Sequence, residues 1–250
     1  MGLGPRRSVN TRWRDVWSQP VGLDEASAQQ PSLAELLVAD GFNTGFGDVD
    51  PTDWMSFVDR ACTTFALQAE DVLFDVGCGS GAFLHPAHRR DIAVGGIDYS
   101  ASRIALARRA MPAGRFEVGE AAELASRPTA DVVISFSVFQ YFSSSDYARR
   151  VIERMCSKAT RAVAIYDLPD LELADRALAE RQATAGGAEA YGRRYEGLDH
   201  LSYSREWVAA VMQEQGLRDV TVEAQTMPNY GIGKFRFNAW GWTSDGQRRR

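Results

Sequence analysis

From residue 72 onward the chain alternates short apolar runs with longer stretches whose apolar residues recur every three or four positions. The runs VLFDV (72–76), AVGGID (93–98), RFEV (115–118), DVVISFS (131–137) and RAVAIYD (161–167) predict five strands. Apolar residues at consecutive positions suit strands buried on both faces. Between them, SASRIALARRAM (100–111) and SSDYARRVIERMCSKA (144–159) predict helices, the first capped by Ser100 or Ser102. SREWVAAVMQEQGL (204–217) predicts another, capped by Ser204 and ending near Gly216. DVTVEAQ (219–225) and KFRFNAWGW (234–242) read as two closing strands. Strands separated by helices imply an α/β fold, a seven-stranded, mostly parallel sheet with helices on both faces.

The first 69 residues follow a different pattern and predict a helical cap with a lid loop. Trp13 and Trp17, at i and i+4, give a short amphipathic helix that can lie on another surface. SLAELLVAD (32–40) predicts a helix with Ser32 as N-cap and Gly41 as its stop. GFNTGFGDVDPTDW (41–54) reads as a loop, with Asp53 placed to cap the helix that follows. Residues 70–250 form the core, interrupted over 170–203 by an Ala- and Glu-rich insertion broken at Gly186–Gly187, read as a further lid.

Composition narrows the function. A chain of 250 residues with 45% hydrophobic and 24% charged residues can bury a full core. No apolar run approaches the roughly 18 residues that span a bilayer, and the Arg-bearing N-terminus lacks the apolar stretch of a secretory signal. Cys62, Cys78 and Cys156 are too few and too scattered for a disulfide framework or a zinc site, which points to a reducing, cytoplasmic setting and no metal. The net charge of −5 argues against a nucleic-acid partner. Arg248, Arg249 and Arg250 form the only dense basic run and read as a solvated tail.

The sharpest chemical signal is VLFDVGCGSGAFL (72–84), a strand, a glycine loop and a helix start in succession. Gly77, Gly79 and Gly81 let the backbone turn tightly and approach a ligand. Asp75 lies in the strand end, where a carboxylate supports the loop or reaches a ligand amine. Asp98 ends the next strand, where an acid meets a ribose. The spacing is GxGxG, not the GxGxxG that opens a helix onto a pyrophosphate, and no basic residue flanks it. A ligand without phosphate fits better than the dinucleotide of a nucleotide-binding Rossmann domain, and better than a bare structural turn. Cys78 reads as a small filler within the loop.

At VLFDVGCGSG and GIDYS the chain resembles the class I S-adenosylmethionine-dependent methyltransferases, specifically over residues 70–170 and loosely elsewhere. The resemblance implies a Rossmann-like fold with S-adenosyl-L-methionine as cofactor and S-adenosyl-L-homocysteine as product. The glycine loop, with Cys78, then lies against the methionine part, and Asp98 accepts both ribose hydroxyls. Tyr99 flanks the adenine, and Glu120 or the Ala121 amide meets its amino edge; a helix-capping role for Glu120 is the alternative. The fourth strand end faces the transferred methyl. It lacks the Asn-Pro-Pro-Tyr or Asp-Pro-Pro-Tyr of enzymes that methylate planar amino groups, and carries Ser137, Phe139, Gln140 and Tyr141 instead. Ser137 falls to the cofactor, the other three to the acceptor. Phe136 and Phe142 read as core.

Of the three histidines, His85 and His88 sit on the first core helix, facing solvent or sheet, while His200 lies where related enzymes place a lid. His200 is the leading base candidate and Asp167, ending the fifth strand, the second, ahead of Asp170 and Tyr195. Trp54 and Tyr230 are candidate stacking walls for the acceptor. The expected activity is methylation of an oxygen or nitrogen of a small molecule; the Arg-, Ala- and Gly-rich usage of a high-GC bacterium, taken together with the resemblance, suggests a bacterial secondary metabolite. The alternatives are a macromolecular acceptor, tRNA or protein, and a non-catalytic module that binds the cofactor.

Overall fold

The computed structural model describes residues 9–20, 30–43, 47–244 and 246; the Arg248–Arg250 run lies outside them. Seven strands form one sheet: β1 (Val72–Val76), β2 (Ala93–Asp98), β3 (Arg115–Val118), β4 (Ala130–Phe136), β5 (Ala159–Pro169), β6 (Arg218–Ala224) and β7 (Arg236–Trp242). Their order is β3-β2-β1-β4-β5-β7-β6. β1 to β5 run parallel, and β7 runs antiparallel to both of its neighbours. The chain reverses between β1 and β4, so the carboxyl ends of β1, β2 and β4 open a crevice there.

Period-two alternation divides the strand side chains between two cores. Leu73, Val132, Ile134, Ala162 and Ala164 face one layer of helices: α2 (Leu33–Ala39), α3 (Pro51–Thr64), α4 (Leu84–His88) and α5 (Ala101–Ala110). Phe74, Val76, Val133, Val163 and Ile165 face the other, built on α6 (Ser145–Lys158) and α9 (Arg205–Glu214). Both faces are therefore covered, and each fully buried Leu, Ile or Val contributes roughly 1.5–3 kcal/mol. Trp54, Phe57 and Val58 of α3 share the first core, so residues 51–64 are a covering layer of the sheet and not part of the lid.

Three local expectations change. The cap of α3 is Asp50, whose side chain accepts from the Thr52 N–H, with Pro51 at the first helical position and Asp53 inside the first turn. Ser100 occupies the N-cap of α5 without a side-chain capping bond; its own N–H donates to Asp98. The last strand begins at Arg236, because Gly233–Phe235 forms a short 3₁₀ turn. Ser32 and Ser204 cap as their positions predict, Ser32 within a reciprocal box with Glu35, and Ser144 caps α6.

The insertion folds as two helices, α7 (Ala174–Thr184) and α8 (Ala188–Arg194), and with α1 (Val9–Trp17) it roofs the crevice. Trp13 Nε1 donates to the Asp199 carbonyl at 2.8 Å, Arg12 to the Glu196 carbonyl at 2.8 Å, and Arg103 to the Trp17 carbonyl. The two lids thus hold each other across the opening. No helix among the described residues is long and apolar enough to cross a membrane.

Candidate active site

The crevice is a cleft of about 400 Å³ running from the glycine loop to the insertion. At its floor, Gly77 and Gly79 have φ of +78° and +54°, a left-handed backbone that only glycine adopts without strain. The turn aims the Gly79 N–H at Asp98, whose Oδ2 accepts it at 3.0 Å while Oδ1 accepts from the Ser100 N–H at 2.8 Å. Each oxygen keeps a lone pair for a further donor.

Beside the loop stands a carboxylate that the sequence pattern does not reveal. Asp40, at the C-cap of α2, accepts from the Ser80 N–H at 2.8 Å and the Ser80 hydroxyl at 2.9 Å. Arg103 Nε lies 3.8 Å from it. Burial pushes its carboxyl up to about 7, against the opposing pull of Ser80 and Arg103. The available signal is its position, since an acid at a helix C-terminus opposes the dipole and needs a compensating partner. Asp75 is buried, 3% exposed, and among the described residues its Oδ1 has no hydrogen-bond partner. Burial raises the carboxyls of Asp75 and Asp98 as well, and Asp75 is pushed further by Asp40 and Asp98. Three carboxyls held near one another with one acceptor unmet form a site short of positive charge.

The rest of the glycine-loop end is apolar and aromatic. Ile97, Val138 and Tyr99 line it, with Glu120 and Ala121 beyond. Glu120 makes no capping bond; it accepts from the Tyr147 hydroxyl at 3.0 Å and pairs with Arg14. Cys78 is buried against Gly96, and burial drives its thiol well up, so it stays protonated. Gly81 lies behind the loop against Met111, outside the cleft lining.

At the other end, Ser137 and Asp167 sit side by side with φ of +56° and +63°. Neither is glycine, so each stores roughly 1–3 kcal/mol of backbone strain that the surroundings must hold. The Ser137 N–H donates to the Tyr166 carbonyl at 3.1 Å, and the Gln140 amide donates to the Ser137 carbonyl and hydroxyl at 2.8 and 2.9 Å. Asp167 is fully buried, and burial raises its carboxyl. Its Oδ2 accepts from the Tyr230 hydroxyl at 3.0 Å, and its Oδ1 has no hydrogen bond, with Arg236 Nε at 4.0 Å.

Trp54, Gln140, Tyr141, His200 and Tyr230 all line the cleft, as does Phe136, expected to be core only. Trp54 is also structural: it is 1% exposed and its Nε1 donates to the Ala82 carbonyl at 3.0 Å. Phe139 is different. Its ring turns into the second core against Phe142 and Tyr203, because the 3₁₀ turn Phe139–Tyr141 sends successive side chains to different sides. It is Phe142 that reaches the cleft. His200 packs against Trp13 and Tyr141, ring centroids 4.8 and 5.6 Å away, and those two rings also touch each other, so the three form a triangle. Burial, aided by Arg236 and Arg181, lowers its imidazole to about 3, so it is neutral at physiological pH. The arginines Arg181, Arg194 and Arg236 also reach this end, none of them distinguishable in the sequence from surface charge.

Comparison with known proteins agrees with this geometry. Residues 73–160 match the methyltransferase domain family. No curated protein sequence matches the chain. Among solved structures, the chain is similar to magnesium protoporphyrin IX methyltransferase from Synechocystis PCC 6803 with bound SAH, at 15% identity and a TM-score of 0.61, covering 94% of this chain and 100% of that one. It is similar to CalS10, an amino pentose methyltransferase from Micromonospora echinaspora, at 14% identity and a TM-score of 0.58, covering 76% and 92%. It is also similar to the N-methyltransferase NodS from Bradyrhizobium japonicum WM9, at 13% identity and a TM-score of 0.55, covering 81% and 98%.

A glycine turn without phosphate donors, an acid on the second strand, an unmet buried carboxylate oxygen and the matched family converge on one reading: residues 73–160 of this chain are a methyltransferase domain, and its cofactor is S-adenosylmethionine.

Proposed function

We propose that this enzyme methylates an oxygen or nitrogen of a small molecule. The observation carrying this reading is the roof. α1 and the segment 195–200 close over the far end of the cleft through direct hydrogen bonds, leaving a chamber walled by Trp54, Tyr141 and Tyr230. The whole cleft, cofactor end included, is about 400 Å³, so the part left for the acceptor suits a compact molecule and not a nucleic-acid strand, and the net charge of −5 supplies no electrostatic footprint for RNA. Similar structures include proteins named for a porphyrin and for an amino pentose, which supports an acceptor of this size class. The three free cysteines suit a reducing cytoplasm, and a secondary metabolite remains within the proposed acceptor class.

The bound cofactor would supply an activated methyl on sulfur, held by the Gly77–Gly79 turn, Asp98, Asp75 and Asp40. The chain's own work is alignment and the exclusion of water, which the Trp13 and Trp17 roof provides. Where the acceptor atom still carries a proton, a base is needed. His200, at about 3, binds a proton weakly at neutral pH and suits a hydrogen-bonding role. Asp167, raised by burial and joined to the cleft through the Tyr230 hydroxyl, is the better-matched acceptor.

The test is calorimetric binding of S-adenosylhomocysteine followed by a labelled-methyl screen of small-molecule, RNA and protein pools. Transfer to small molecules is expected. Transfer only to RNA or protein would replace this reading with a macromolecular one, and binding without any transfer would leave a cofactor-binding module.

Asp40 makes the affinity depend on pH. Its folded value of about 7 exceeds the 3.8 of the unfolded chain, so it stabilises the ligand-free fold at low pH and loses that contribution as pH rises through about 7. A bound ammonium favours the ionised form. S-adenosylhomocysteine should therefore bind roughly three- to tenfold more tightly at pH 8 than at pH 6. Asp40→Asn should flatten the profile, as calorimetry at the two pH values would show.

A further inference from the structure

Three features of the chamber's far end have no role in holding the cofactor. Arg236 is only 5% exposed yet lines the cleft, and among the described residues its guanidinium makes one hydrogen bond, a long one of 3.4 Å to the Asp167 carbonyl. Arg181, on α7, lines the same end and has its Nε buried with no hydrogen-bond partner. Both guanidiniums are close enough to act on the His200 imidazole, which packs against the Trp13 and Tyr141 rings. Buried guanidiniums are costly unless hydrogen-bonded and neutralised. Asp167 answers Arg236 only in part, because its Oδ1 stands 4.0 Å away and its other oxygen holds Tyr230.

We propose that Arg181 and Arg236 form an acceptor subsite that binds a carboxylate of the substrate, so that the methyl acceptor is an aromatic or otherwise apolar acid. This rests on the small-molecule reading above. The planar fork of each guanidinium matches a carboxylate, and charge-assisted bonds of this kind are short and directional. Neutral His200 can donate a third hydrogen bond to the same group. The apolar body of the acid lies along Phe136, Trp54 and Tyr230, which line the cleft between this subsite and the glycine loop. One anchoring charge at the far end and a flat apolar wall along the side orient the acceptor atom toward Ser137.

A matched pair of probes tests the subsite. 1-Hydroxy-2-naphthoate and its carboxamide, nearly equal in shape, are titrated into the protein loaded with S-adenosylhomocysteine, with tryptophan fluorescence as readout. The acid should bind at least about tenfold more tightly than the amide, the effect expected of one charge-assisted pair. Arg181→Gln and Arg236→Gln should each cut that preference below about threefold, while calorimetric affinity for S-adenosylhomocysteine stays unchanged. Arg181 sits on a lid helix, so Arg181→Gln carries the test should Arg236→Gln fail to fold. Equal binding of acid and amide, preference for naphthyl phosphate over the acid, or a preference that survives both substitutions would overturn the proposal. Failure of the underlying reading has a separate signature: label passes to RNA or protein and to no small molecule.

Discussion

Asp98→Ala lowers the affinity for S-adenosylhomocysteine by about two orders of magnitude or more, the largest effect expected of any single side chain in the cleft. The loss has two parts. A carboxylate accepting two sugar hydroxyls makes charge-assisted bonds, each worth roughly 1.5–3 kcal/mol. The same carboxylate fixes the Gly79 and Ser100 N–H groups at 3.0 and 2.8 Å, so its removal also loosens the loop that meets the cofactor. Asp98→Asn separates the two, because the amide oxygen can keep one loop bond while the charge is gone. Its loss should be about tenfold. Calorimetry reads both variants, with thermal melting as the check on folding. The variants should not become less stable at neutral pH through the charge itself. Burial raises the Asp98 carboxyl, and a raised carboxyl favours the fold below its unfolded value and loses that contribution as pH climbs. A folded Asp98→Ala protein with wild-type affinity would remove the acid from the cofactor site.

Gly79→Ala is expected to reduce cofactor affinity by roughly 30- to 1000-fold and to lower the melting temperature. At φ +54° a Cβ costs roughly 1–2 kcal/mol in backbone strain alone. It would also overlap the Asp40 carboxylate, which Ser80 holds at two atoms and which has little freedom to move. Displacing that carboxylate leaves the Ser80 N–H unsatisfied, at about 1–3 kcal/mol. Gly186→Ala is the contrasting control. It too has positive φ, +88°, but nothing stands within 4 Å of the added atom, so only the strain remains and the Asp40 carboxylate is untouched. Comparable loss of affinity in both variants would mean that strain, and not the Asp40 contact, sets the effect.

Much of the cofactor half was legible in the chain because its chemistry is local. Strand β1, the Gly77–Gly79 turn and Asp75 are contiguous, and Asp98 falls at the end of the next apolar run. Asp40 escaped because its partner, Ser80, is forty residues away and the contact follows from α2 packing on the loop. Phe139 was assigned to the acceptor on the strength of its neighbours, and the 3₁₀ turn rotates it into the core. Arg181 and Arg236 come from a lid helix and an antiparallel strand that meet only when the sheet is complete.

The sequence by itself determined the order of strands and helices and the glycine loop that follows the first strand. Those depend on apolar runs, glycine positions and caps, each decided within a few residues of chain. Tertiary structure alone decided which charges are brought together: Asp40 near Asp75 and Asp98 at one end, Arg181 and Arg236 each near His200 at the other. Burial and proximity set the proton affinity and ligand preference of such groups, and both are properties of packing between distant segments.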